Sequence, residues 1–181
     1  MKNILIIGST GQIGSELTMK LRETYPSGNV IAGYIPGAEP KGILAESGPA
    51  EVVDITNAQQ ISEVVDKYHV DTIYNLAALL SAVAEAKPQL AWHIGLGGLF
   101  NVLEIAREKG CSSIGAFGND TPKDKTPQDT LQRPKTMYGV TKVAGELLSD
   151  YYFKRFGVDT RSVRFPGLIS NVTLPGGGTT D

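Results

Sequence analysis

Tyr138 and Lys142 stand four positions apart in the run Tyr138-Gly139-Val140-Thr141-Lys142. On a helix that spacing puts both on one face, a phenol beside an ammonium group. A free phenol titrates near pH ~10, too high for a base at neutrality, and a neighbouring cation favours the phenolate. The pair is therefore a candidate proton-transfer device, with Tyr138 as the base and Lys142 lowering its pKa. A second pattern lies far upstream, Gly8-Ser9-Thr10-Gly11-Gln12-Ile13-Gly14, directly after the aliphatic run Ile4-Leu5-Ile6-Ile7. There Gly8 allows a sharp turn, Gly11 removes a side chain where a pyrophosphate approaches the backbone, and Gly14 permits close helix packing. Gln12 and Ile13 open the helix, whose N-terminus favours phosphate charge. Neither pattern is specific by itself in a chain with 21 glycines. Their order, strand before the glycines and apolar-periodic helix after, is what points to dinucleotide-dependent redox chemistry.

These residues need a frame. Buried-type strands are expected at Asn3 to Ile7, Val30 to Tyr34, Glu51 to Val53, Thr72 to Leu76 and Thr160 to Phe165. Amphipathic helices are expected at Gln12 to Thr24, Ala58 to Tyr68, Pro88 to Lys109 and Thr136 to Phe156, with Pro88 in a first turn and Gly110 as a stop. Gly33 to Gly48 has no clear period and reads as loop. Such alternation predicts a Rossmann-like, doubly wound α/β fold: a parallel sheet with helices on both faces, one domain over residues 1–181. Ligands bind such sheets outside the carboxyl ends of the strands. The glycine turn, Asp54-Ile55, the segment Leu76-Ala77-Ala78 to Ser81, and Pro166-Gly167 all follow expected strands and should line one crevice.

Composition narrows the ligand. With 41% hydrophobic residues, a net charge of -2 and no basic cluster, a nucleic-acid or anionic-membrane partner is not expected, and a small molecule is. Cys111 is the single cysteine, so no internal disulfide or cysteine metal cage is expected, and no metal site is predicted. The opening apolar run is too short for a signal-peptide core and no stretch approaches about 18 apolar residues, so a cytoplasmic location is expected. His69 and His93 have no partner acid at metal spacing. The helix from Pro88 is apolar on more than one face, and a homodimer through residues 88–109 and 136–156 is expected, against the alternative that Trp92 and Phe100 deepen the monomer core.

Three further positions have open readings. Asp54 can accept from an adenine amino group, with Ile55 lending its backbone, or can serve as a helix cap. Tyr34 stands about 20 residues past the glycines, where a carboxylate commonly grips the adenosine ribose; a phenol there offers one hydrogen bond or a stacking face. No arginine follows to meet a 2'-phosphate, so NAD is expected over NADP. Ser113, or its neighbour Ser112, can hold the substrate oxygen that Tyr138 deprotonates, or can be an inert hydroxyl.

Together these residues resemble the extended short-chain dehydrogenase/reductase family, and within it the epimerase-related L-threonine 3-dehydrogenases. The resemblance rests on the glycine turn, Asn75-Leu76-Ala77-Ala78-Leu79-Leu80-Ser81-Ala82, Thr121-Pro122-Lys123-Asp124, Pro166-Gly167-Leu168-Ile169-Ser170 and the closing Pro175-Gly176-Gly177-Gly178-Thr179-Thr180-Asp181. It implies NAD as cofactor, Tyr138 as general base, Lys142 on the nicotinamide ribose and Ser113 on the substrate hydroxyl. It also implies Ser81, Thr179 and Thr180 near the amino acid, and oxidation of L-threonine at C3. A nucleotide-binding module without turnover and a sugar-nucleotide epimerase are the rival readings. The sequence departs from the family at Tyr34, where an acid is usual, and in its end at Asp181, where a substrate-capping portion follows. It departs again between Lys109 and Ser112, where only Gly110-Cys111 stand in place of a strand. Either the serine loop is rebuilt or Cys111 to Phe117 itself becomes that strand. Glycines in Ile94-Gly95-Leu96-Gly97-Gly98 each cost an interior helix about 1 kcal/mol.

Overall fold

The structure, a computed structural model, describes residues 2–118 and 132–165; for 116–118 and 165 the backbone alone is described. Six strands form one all-parallel sheet in the order β3-β2-β1-β4-β5-β6. They are β1 (Ile4–Ile7), β2 (Val30–Tyr34), β3 (Ala50–Val52), β4 (Thr72–Asn75), β5 (Ser112–Gly118) and β6 (Thr160–Phe165). The helices are α1 (Gln12–Thr24), α2 (Ile43–Glu46), α3 (Ala58–Tyr68), α4 (Ser81–Ala86), α5 (Pro88–Trp92), α6 (Gly98–Lys109) and α7 (Met137–Phe156). The predicted doubly wound fold is the one found, with the order reversing between β1 and β4. No described helix is long and apolar enough to cross a membrane.

The central strand shows why its sequence is aliphatic throughout. All four residues of β1 are buried, and the pleat sends them to two different cores. Ile4 and Ile6 join Val30 under α1, packed by Leu21 and Tyr25. Leu5 and Ile7 join Ile31 and Ile73 on the other face, beneath Ile61 and Val65 of α3, Leu103 of α6 and Tyr152 of α7. Each such isoleucine contributes about 1.5–3 kcal/mol by leaving water, which anchors the sheet where the glycine turn must emerge.

One open alternative is settled and two expectations change. The segment after Gly110 is a strand: β5 lies between β4 and β6, pairing Thr72 with Ser112 and Ser113 with Thr160. The linker Gly110-Cys111 is too short for any earlier strand, and the sheet needs a member between β4 and β6. The helix predicted from Pro88 to Lys109 is three pieces, α5, a π turn over His93–Gly97, and α6. Its glycines are contact points: a Cβ on Gly98 would lie 2.8 Å from Ile55, and one on Gly95 would lie 3.2 Å from Thr141 of α7. Finally, the segment read as loop between β2 and β3 contains α2, held by Arg22, whose guanidinium donates to the carbonyls of Val30, Leu44 and Pro49.

Candidate dinucleotide and substrate site

The glycine turn sits at the carboxyl edge of β1, beside the switch point. The Gly33 carbonyl at the end of β2 accepts from the N–H groups of Gly8 and Ser9, each at 3.1 Å, and from Ser9 Oγ at 2.9 Å. Gly8 has φ +85°, and a Cβ there would come within 3.1 Å of the Leu76 and Ala77 backbone, so the turn lies directly against the exit of β4. A Cβ on Gly14 would sit 2.1 Å from the Gly8 carbonyl oxygen, so only glycine lets α1 begin there. Gly11 is exposed, and no side chain caps α1 at that position. The first-turn N–H groups, those of Gln12 and Ile13 included, are thus left to an anion approaching along the helix axis. These residues fit a dinucleotide pyrophosphate.

At the adenosine end, Tyr34 closes β2 and is half-buried. Asp54 is neither free nor a helix cap: its Oδ1 accepts from Thr56 N–H at 2.9 Å and Thr56 Oγ at 2.8 Å, while Asn57 caps α3. Ile55 is buried against Gly98, and its carbonyl accepts from Asn101 Nδ2 at 3.0 Å.

Tyr138 lies in the first turn of α7. Thr136 caps that helix, its Oγ accepting from Gly139 N–H at 3.0 Å, and Thr141 Oγ donates to the Tyr138 carbonyl at 2.8 Å. The Glu85 carboxylate on α4 accepts from Met137 N–H, so the helix that follows β4 is fastened to the turn carrying Tyr138. Neither Glu85 nor the packing role of Gly95 has a pattern by which sequence reading finds it. Lys142 Nζ lies over the Tyr138 ring, 5.0 Å from its centroid, as a cation–π contact. Burial pushes the Tyr138 phenol up, the reverse of the expected lowering, because water leaves the phenolate. Burial also brings Lys142 down to about 8, although the residue as a whole is partly exposed. The pair brings a phenol and an amine together on one face of α7.

Ser113, expected on the substrate hydroxyl, lies within β5. The register sets Ser113 level with Ile73 and Leu5, two residues short of the Ile7–Asn75–Gly115 level at the carboxyl edge, roughly 7 Å down the strand. It is 4% exposed and its N–H donates to the Asp159 carbonyl. Drawing residues 112–118 into the sheet carries the serine away from the crevice. Ser81, by contrast, begins α4 one turn before Glu85, on the face turned toward the start of α7. Ala78 follows β4 and is half-buried. Pro166, Thr179 and Thr180 lie outside the described residues. Cys111 is buried, donates to the Val70 carbonyl at 3.0 Å and is pushed up to about 11 by burial, which makes it an inert thiol. Among the described residues no group of three His, Cys, Asp or Glu is placed to hold a metal ion.

A parallel 3-2-1-4-5-6 sheet with a glycine turn at its switch point and a Tyr-Lys pair on the helix beyond β5 defines an NAD-binding Rossmann domain. The chain belongs to the NAD dependent epimerase/dehydratase family, whose pattern matches residues 4–177. It is 58% identical to an L-threonine dehydrogenase from Clostridium difficile, covering 100% of this chain and 58% of that one, with a TM-score of 0.90. It is 42% identical to the L-threonine dehydrogenase from Phytophthora infestans, covering 99% and 59%, with a TM-score of 0.88. An uncharacterized epimerase/dehydratase of Staphylococcus aureus is 56% identical over 186 residues, 100% of this chain and 58% of the relative. The chain therefore spans somewhat under two thirds of the length of the relatives it matches.

Proposed function

We propose that this chain forms the cofactor-binding part of an NAD-dependent L-threonine 3-dehydrogenase. The observation that carries the reading is the Tyr138–Lys142 pair fastened on the first turn of α7, in a frame 58% identical to a threonine dehydrogenase. Tyr138 takes the proton of the threonine C3 hydroxyl, and Lys142 compensates the charge that develops on the phenol oxygen. NAD, when bound, supplies the acceptor for the C3 hydride, and the product is 2-amino-3-ketobutyrate. The turn from Gly8 to Gly14 holds the pyrophosphate, and Leu76, Ala77 and Ala78 border the cofactor from β4. The position of Ser113 favours Ser81 as the hydroxyl that meets the substrate. A homodimer through residues 88–109 and 136–156 belongs to the same proposal, supported by Trp92 of α5, Phe100 of α6, and Leu147 and Tyr151 of α7, which are all about half exposed or more.

The test is NADH formation from L-threonine and NAD+, with calorimetric NAD+ binding run alongside. Tyr138→Phe should lower turnover about 100-fold or more while leaving the NAD+ Kd within a few-fold. Ser81→Ala should cost more in kcat/KM than Ser113→Ala. Binding of NAD+ without threonine-dependent NADH would leave a cofactor-binding module and sink the dehydrogenase reading for this chain.

A further inference from the structure

The adenosine end of the cofactor crevice differs from the rest in having its carboxylates committed elsewhere. Residue 34 follows Gly33, whose carbonyl receives the glycine turn, and closes β2 at the strand end that meets the adenosine ribose in dinucleotide-binding folds. A carboxylate at that place does two things in dinucleotide sites. It binds the ribose hydroxyls, and it repels the dianionic 2'-phosphate of NADP. Here the residue is Tyr34, uncharged, bordering a cleft of about 350 Å³ with Glu51, Gln60 and Lys67.

The acids of the surrounding segments do not replace it. Glu51 in that cleft receives Lys67 Nζ at 2.7 Å and Tyr68 Oη at 2.6 Å. Asp54 is turned onto Thr56. Glu39, five residues past Tyr34, accepts from Gly37 N–H at 2.8 Å and folds back onto its own turn. Nor is a guanidinium offered: Arg22, the arginine of this region, is buried on the carbonyls of Val30, Leu44 and Pro49.

We propose that Tyr34 makes the adenosine-ribose end of the site electrostatically indifferent, so that this chain binds NAD+ and NADP+ with affinities within about tenfold of each other. At position 34 itself, neither the attraction that favours a free 2'-hydroxyl nor the repulsion that rejects a 2'-phosphate operates. The ring supplies a stacking surface common to both dinucleotides. The inference rests on the NAD-binding reading of the glycine turn and not on the identity of the substrate.

Calorimetric titration of the intact chain with NAD+ and with NADP+ tests it, repeated for Tyr34→Asp and Glu39→Gln. The expected result is a wild-type Kd ratio under tenfold, widening by at least tenfold in favour of NAD+ in Tyr34→Asp, and unmoved in Glu39→Gln. A wild-type preference above 100-fold for either dinucleotide overturns the proposal, and its loss in Glu39→Gln would name Glu39 as the selecting group. An unchanged ratio in Tyr34→Asp also overturns it, since position 34 would then not face the ribose. Absence of saturable binding by either dinucleotide removes the proposal together with the NAD-binding reading. Binding without threonine turnover removes the dehydrogenase alone.

Discussion

Gly14 and Lys142 show how single residues divide between building the site and working in it. A methyl group on Gly14 would fall 2.1 Å from the Gly8 carbonyl oxygen, a contact that only backbone movement relieves. Gly14→Ala should therefore destabilise the domain by about 3 kcal/mol or more and weaken NAD+ binding. Gly28→Ala, with nothing within 4 Å of its Cβ position, should stay within about 0.5 kcal/mol of wild type when both variants are unfolded in urea. Lys142 carries a different cost. Its amine is held at about 8 against 10.5 by burial, so below about pH 8 the folded state bears a charge that the unfolded chain solvates better. That cost is relieved as pH rises through 8 toward 10.5, where the unfolded chain gives up its proton too. The rise in wild-type stability between about pH 8 and about pH 10 should therefore be absent in Lys142→Met. Urea midpoints at the two pH values decide the matter, and an equal rise in the variant would refute the burial argument.

At the scale of the element, the broken helix between Pro88 and Lys109 separates propensity from packing. Both Gly97 and Gly98 have helical dihedrals, and propensity alone credits alanine with about 1 kcal/mol at each. Gly97 meets nothing closer than His93 Nδ1 at 3.6 Å, whereas Gly98 would press a Cβ to 2.8 Å from two carbons of Ile55. Gly97→Ala is thus expected to raise stability by up to about 1 kcal/mol, and Gly98→Ala to lower it by about 1–2 kcal/mol as overpacking outweighs propensity. Equal effects of the two substitutions on thermal unfolding would contradict this. The capped start of α7 makes a simpler case. Thr136→Ala removes the acceptor for Gly139 N–H and should cost about 1 kcal/mol, with a loss of turnover if the turn carrying Tyr138 frays.

Over the whole molecule, one group of exposed apolar residues lies on α7, where Val140, Leu147, Tyr151, Phe153 and Phe156 face water, with Phe100 of α6 beside them. Phe100 meets Tyr152 edge to face at 6.2 Å, and Tyr151 continues the aromatic group to Phe156 at 5.8 Å. Beside them Leu147 is 68% exposed and Tyr151 52%. In the proposed homodimer a second copy covers that face. Light scattering behind size-exclusion should report twice the chain mass, and Leu147→Asp should shift it toward the monomer. A wild-type monomer at micromolar concentration would dispose of the dimer.

The glycine turn, the bounds of α1 and α3, the parallel order implied by alternating elements and the Tyr138–Lys142 spacing were all determined by the sequence itself. Each depends on local chemistry or a short period: an aliphatic strand before glycines, an apolar stripe, one helical turn between two side chains. The tertiary structure decided the rest. Residues 112–118 become β5 because β4 and β6 leave an unfilled place between them, and this pairing sets Ser113 two residues below the crevice. The close contacts of Gly95 with Thr141 and of Gly98 with Ile55 are made with residues remote in the chain. Asp54 accepts from Thr56 while Asn57 caps α3. The directions in which Tyr138 and Lys142 titrate come from the walls that bury them, and desolvation sums over neighbours brought together by folding, which spacing along the chain does not encode.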